Sequence, residues 1–127
     1  GTGDVMLTVF QTIPVDGVVL VSTPQELVGM IVEKAIKMAD MMEIPVIGLV
    51  ENMSYVECPG CATKVELFGK SHREEIAERY HIPLTAALPV DSKLAGGVDK
   101  GMIELFGGDW LDKLADAIVD LEPRARA

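Results

Sequence analysis

The chain contains only two cysteines, and they stand two residues apart as Cys58-Pro59-Gly60-Cys61. Two thiolates at that spacing can grip one metal ion or one cluster, but they fill only half of the usual ligand set. Structural zinc takes four protein ligands, and common iron–sulfur clusters are held by four cysteines. The missing half must come from histidine, from an exogenous ligand or from a second copy of the chain. His72 and His81 are the only histidines, and their spacing does not match a finger pattern. Capping or solvent-exposed roles suit them better. A thioredoxin-like thiol pair usually opens a helix just after a strand. Pro59 and Gly60 make helix initiation at Cys58 poor, so the segment reads as a metal knuckle, with two ordinary thiols as the plain alternative.

Three short apolar runs must position this pair, and each has the same lead-in. Ile13-Pro14 precedes Val18–Val21, Ile44-Pro45 precedes Val46–Val50, and Ile82-Pro83 precedes Leu84–Leu88. Each proline ends any preceding helix and biases the residue before it to extended geometry. Continuous, partly β-branched runs are expected for strands buried on both faces of a parallel sheet. Between the strands, Thr23-Pro24-Gln25-Glu26 reads as N-cap, first-turn proline and capping-box glutamate. The helix it opens carries Leu27, Ile31, Ala35, Met38 and Met42 along one stripe, with a Glu33–Lys37 pair on the other side. Met30, Met38, Met41 and Met42 read as core packing and not as a soft-metal face. Ser71-His72-Arg73-Glu74 is a second capping box, opening a helix with Ile76, Ala77 and Tyr80 on one side. Asp109 and Asp112 open a last helix with Trp110, Leu114, Ile118 and Leu121; Asp4–Thr12 is a further helix, and the polar tail from Glu122 to Ala127 reads as frayed.

Alternating helices and buried strands predict an α/β fold, a parallel sheet with flanking helices and right-handed crossovers. Ligands gather at the carboxyl ends of the strands in such folds. Those ends are Ser22–Gln25, Glu51–Ser54 and Pro89–Ser92, three polar segments expected on one rim. The segment from Tyr55 to Phe68, with both cysteines, departs from the strand–helix rhythm, and Lys64–Phe68 alternates like a short exposed strand.

The 127 residues are 49% hydrophobic, which suits one domain with a sizeable core. A net charge of −9 argues against a nucleic-acid surface, which needs basic patches. No apolar run reaches the length of a membrane span, and neither a secretory signal nor a cysteine-rich framework is present, so a reducing, cytoplasmic setting is expected. The chain opens Gly1-Thr2-Gly3-Asp4 without an initiator methionine and reads as starting inside a larger fold.

Taken in order, Gly1–Val5, Ser22–Gln25, Gly48–Ser54, Cys58–Cys61 and Phe68-Gly69 resemble the C-terminal half of the Mrp/ApbC-type P-loop ATPases. These act as iron–sulfur cluster carriers and are related to MinD and ParA. The likeness extends to about residue 107, and Glu51-Asn52-Met53-Ser54 followed closely by the cysteine pair is its most specific part. It implies that residues 1–127 form the C-terminal part of one P-loop ATPase-like domain, with the cysteine insert at about 55–68. It further implies a homodimer in which Cys58 and Cys61 of two subunits bind a labile bridging [4Fe–4S] cluster destined for apo iron–sulfur proteins. Asn52 would hydrogen-bond the adenine of ATP, with Pro89, Val90 and Asp91 lining the base. Gly3 and Asp4 would lie near the γ-phosphate and magnesium. From the residues alone, Asn52 reads equally as a turn residue and Asp4 as a helix N-cap.

The departure from the family is the phosphate machinery. No glycine-rich P-loop and no Walker B aspartate occur in the chain, so it lacks the anion cradle and magnesium ligands of phosphoryl transfer and is expected to be inactive as an ATPase alone. Ala62 stands where members often carry glycine. Two rival readings share the features: a zinc-bridged dimeric binding module, and a partitioning ATPase of the ParA or MinD kind without a cluster. The second normally shows a membrane-targeting helix or a basic patch, for which Pro123–Arg126 is too short.

Overall fold

The computed structural model describes residues 4–25 and 30–121. Its elements run α1 (Asp4–Thr12), β1 (Val18–Ser22), α2 (Met30–Met41), β2 (Val46–Glu57), β3 (Lys64–Val65), α3 (Arg73–Tyr80), β4 (Leu84–Pro89), α4 (Ser92–Asp99), a single 3-10 turn at Ile103–Leu105 and α5 (Asp112–Val119). Strand β2 is central, with β1 and β4 parallel on its two sides and β3 antiparallel at its far end. The sheet is therefore mixed, with helices on both faces, and the α/β expectation holds.

Two apolar layers sandwich β2 because its side chains alternate across the sheet. Leu49, without solvent exposure, packs with Val32 and Ile36 of α2 and Ile76, Ala77 and Ile82 around α3. Val50 turns to the other face and packs with Ala86 and Leu114 of α5. Burying a side chain of this size contributes about 1.5–3 kcal/mol. Gly48 makes the second layer possible: a Cβ there would lie 2.5 Å from Leu114 Cδ1.

Several expectations shift. The buried face of α2 is Val32, Ala35, Ile36 and Ala39, and Ile31 is 57% exposed. The helix is apolar on two adjoining stripes, and the sheet selects the one that meets Leu49. Met30 and Met41 are exposed, so the core assignment fails for them, while Met38 and Met42 are half-buried. Glu33 pairs with Arg79 of α3 at 3.4 Å, tying α3 to α2. The proposed cap at Glu26, together with Leu27, the tail from Glu122, and Gly3 lie outside the described residues. Around α3, Ile76 and Ala77 are buried as expected, but His72 occupies the N-cap and makes no side-chain cap bond. In the last helix only Leu114 is buried; Trp110 stacks on Phe106 before the helix begins, with ring centroids 5.7 Å apart.

Helix α4 was not anticipated. Asp91 is its N-cap, accepting the Lys93 N–H at 2.8 Å, and that residue type was the available signal. Its interior Gly96-Gly97 masks the helix in a propensity reading.

Gly48→Val is expected to destabilise the fold by about 1–3 kcal/mol through overpacking against Leu114. Adding Leu114→Ala should recover part of that loss, a non-additivity that urea denaturation of the single and double variants would measure.

Candidate metal centre and nucleotide rim

The second strand does not stop at Val50, where the apolar run ends. It continues to Glu57, crossing an irregularity between Glu51 and Tyr55 in its pairing with β4. Met53 takes a left-handed φ of 54°, and the Asn52 Oδ1 accepts the Met53 N–H at 2.9 Å. A side-chain bond of this kind satisfies the backbone where the ladder is broken. Sequence reasoning placed the polar carboxyl end of the strand at Glu51–Ser54; the bulge lets the strand run on to Glu57.

Glu51 lies at the root of this extension and is fully buried. Its carboxylate accepts the Ser54 hydroxyl at 2.5 Å and the Ser71 hydroxyl at 2.9 Å. Arg73 donates to Ser71 Oγ at 2.9 Å and approaches Glu51 Oε1 at 3.5 Å. Ser71 keeps the expected cap bond, its Oγ accepting the Arg73 N–H at 3.4 Å, while its own hydroxyl proton goes to Glu51. Glu74, the other half of that box, instead accepts the Thr85 hydroxyl at 2.8 Å. This network joins β2 to the start of α3, and no signal in the spacing foretold it.

Beyond Glu57 the chain turns back to β3, and Cys58 and Cys61 occupy the turn. The Cys58 N–H donates to the Thr63 carbonyl and the Ala62 N–H to the Cys58 carbonyl, both at 2.8 Å. Ala62 adopts a φ of 58°, a conformation glycine would reach without strain. Only Lys64–Val65 of the expected alternating stretch is a strand; Leu67 and Phe68 lie in a turn. Cys61 is exposed, Cys58 is half-buried, and both are free thiols. Cys61 Sγ lies 3.2 Å from Thr63 Oγ1. Hydrogen bonding from the Thr63 side chain, then from its backbone, then from Cys58, holds the Cys61 thiol below its ordinary pKa. A thiol so placed yields thiolate more readily, and thiolate is the metal-binding form.

Neither histidine joins the thiols. His72 Nδ1 faces Glu75 at 2.8 Å, and His81 is the left-handed C-cap of α3, with a φ of 57°. Among the described residues no group of three or more His, Cys, Asp or Glu is assembled that could hold a metal ion.

On the expected nucleotide rim, pairing of Tyr55 with Pro89 sets Asn52–Tyr55 alongside the end of β4. Asn52 is half-buried, and the Val90 N–H is taken by the Tyr55 carbonyl at 2.7 Å. Asp91 serves as the cap of α4 and borders a groove of about 620 Å³ with Lys93, Lys100, Met102 and Phe106. Asp4 begins α1, where its carbonyl accepts the Thr8 hydroxyl at 2.7 Å. No described helix is long and apolar enough to cross a membrane.

Comparison with known proteins places this architecture. Iron-sulfur cluster carrier proteins are 45% identical over 106 residues in Clostridium perfringens and 42% identical over 125 residues in Methanocaldococcus jannaschii. The first alignment takes in 84% of this chain but 37% of the relative, the second 94% and 43%. The chain thus spans less than half the length of these curated relatives. A nucleotide-binding protein from Archaeoglobus fulgidus, solved in complex with ADP and with Co, superposes with a TM-score of 0.82 at 46% identity. That match covers 88% of this chain and 46% of the other. Residues 1–119 match the family described as ParA: NUBPL iron-transfer P-loop NTPase, and the chain belongs to that family.

Proposed function

We propose that this chain carries half of the ligand set for a labile iron–sulfur cluster, and that the cluster is cargo passed to apo-proteins. Cys58 and Cys61 would be the ligands. The observation that supports this most directly is the pairing of two free thiols at one hairpin tip, with no third ligand assembled beside them among the described residues. A second copy of the chain supplies the remaining two thiolates, and the bridged cluster is of the [4Fe–4S] type. Relatives that share the cysteine-bearing half are named iron-sulfur cluster carrier proteins, which favours a cluster over structural zinc.

On the nucleotide side, the reading assigns Asn52 to the adenine edge. Its Oδ1 is engaged by Met53, so the side-chain amide N–H₂ is the group that meets the base. Pro89, Val90 and Asp91 border the same site, and Gly3 and Asp4 belong on the phosphate side. The residues of this chain offer no phosphate cradle, so ATP and magnesium are held by the intact protein, with residues 1–127 forming one part of a P-loop domain. Hydrolysis is not assigned to the residues present.

Anaerobic reconstitution of the intact protein should yield a brown product with about four irons per two chains. Cys58→Ala should abolish it. Retention of iron by that variant, or recovery of a colourless zinc form alone, would sink the proposal.

The thiol chemistry gives an independent check. The Cys61 pKa is lowered chiefly by Thr63, so removing that hydroxyl raises it and leaves less thiolate at neutral pH. Thr63→Val should therefore shift the pH profile of iodoacetamide alkylation at Cys61 upward. An unmoved profile would show that Thr63 does not tune this thiol.

A further inference from the structure

The cysteine hairpin is too short to hold its own direction. Its ladder has two pairs, Val56 with Val65 and Glu57 with Lys64, and the Cys58 N–H bond to the Thr63 carbonyl extends it by one step. A two-stranded hairpin is at best marginally stable by itself, so other contacts must fix where the thiols point.

Opposed residues share a face and side chains alternate along each strand. Val56, Cys58, Thr63 and Val65 therefore lie on one face. Tyr55, Glu57 and Lys64 lie on the other, where Glu66 follows in the alternation. Contacts agree with this division. Lys64 Nζ sits 4.8 Å from the centre of the Tyr55 ring, and Cys61 Sγ reaches Thr63 Oγ1 at 3.2 Å. Tyr55, Lys64 and Glu66 border one groove of about 360 Å³ with Ser71 and Arg73. The hairpin thus turns its polar face to the start of α3 and carries the thiols on the opposite one.

The bonds across that groove converge on Ser71. Its hydroxyl donates to Glu51 Oε2 at 2.9 Å, which holds the outgoing arm. Its N–H donates to Glu66 Oε2 at 2.9 Å, which holds the returning arm. Ser71 Oγ in turn accepts from Arg73 Nη1 at 2.9 Å and from the Arg73 N–H at 3.4 Å. A hydroxyl offers one donor and two acceptor sites, and here all three are used. The excursion from residue 52 to residue 70 is therefore closed at its base by a single side chain and its own amide.

We propose that Ser71 is a positioning residue for the thiols. With Glu51 and Glu66 it latches both arms of the hairpin, so that Cys58 and Cys61 are presented as a pair in one direction and retain the group they hold. Ligands held in place beforehand have less freedom to lose on binding, and outer partners of this kind change metal affinity by about 10–100-fold. The role rests on the cluster reading above and adds what keeps its ligands in place.

The test uses the intact protein with Ser71→Ala, Glu66→Ala, the hydroxyl-retaining Ser71→Thr, and Val32→Ala in the α2 layer as a destabilised control. In the unloaded protein, amide hydrogen exchange at Cys58 and Ala62 should be faster in Ser71→Ala than in the wild type, with β1 unchanged. After anaerobic reconstitution, loss of iron to a chelator should be about tenfold faster in Ser71→Ala and Glu66→Ala. Ser71→Thr should restore the wild-type rate, and Val32→Ala should lower the melting temperature without altering that rate. Unchanged exchange at Cys58 and Ala62 would show that the latch does not hold the hairpin, and the proposal falls whether or not iron binds. If Val32→Ala speeds iron loss as much at an equal drop in melting temperature, Ser71 only stabilises the fold and the positioning role is overturned. A loosened hairpin that keeps its iron as long as the wild type overturns it too, with the thiol assignment intact. A wild-type protein that takes up no iron overturns the cluster reading and this role with it.

Discussion

The structure depends on keeping a fully buried carboxylate satisfied at the point where the core of the sheet gives way to its cysteine-bearing extension. Glu51 has no contact with solvent, and an unpaired charge in that position would carry a penalty of several kcal/mol. Ser54, Ser71 and Arg73 together supply the donors, and they come from β2 itself and from the segment that starts α3. Satisfying Glu51 therefore clamps the root of the cysteine hairpin to the first turn of a helix. The thiols project from a clamped base, on a strand whose lower half is held between two apolar layers.

That arrangement places two chemistries on one strand. Asn52 lies next to Glu51, at the bulge, and Cys58 follows the end of the same strand. The bulge lets the strand pass from a region buried on both faces to one in which the faces differ in character. Below it, Leu49 and Val50 both need apolar partners. Above it, Tyr55 and Lys64 form a polar side, while Val56 and Val65 share the side of the thiols. A twelve-residue strand paired throughout by Val/Leu alternation would have offered neither the Asn52 amide at the bulge nor the two-faced hairpin.

Legibility in the sequence varied with the range of the interaction. The three proline-led runs were correctly read as parallel strands, since a buried strand is a local composition. The cysteine pair was legible for the same reason, its reach being set by covalent spacing. Where two local readings competed, the sequence misled. On α2 the stripe through Ile31 and Met38 is as apolar as the one through Val32 and Ile36, and only the position of Leu49 decides between them. Of the capping box, Ser71 keeps its bond to the Arg73 N–H, but Glu74 is drawn away to Thr85 and Glu66 takes the Ser71 N–H in its place. Helix α4 was overlooked because two glycines outweigh a capping aspartate in a propensity argument but not in the fold.

From the sequence by itself came the α/β class, the order of the parallel strands and of the helices other than α4, and the two-ligand deficit of the thiols, all properties of composition, periodicity and spacing along the chain. The likeness to iron-transfer P-loop proteins came separately, from a resemblance of motifs taken in order. Only the tertiary structure decided that β2 runs on through a bulge, that Glu51 is buried with donors from α3, and that the thiols share a face with Val56 and Val65. Each of these is a choice between partners distant in sequence. Packing and hydrogen-bond satisfaction make that choice once the sheet has brought the candidates together.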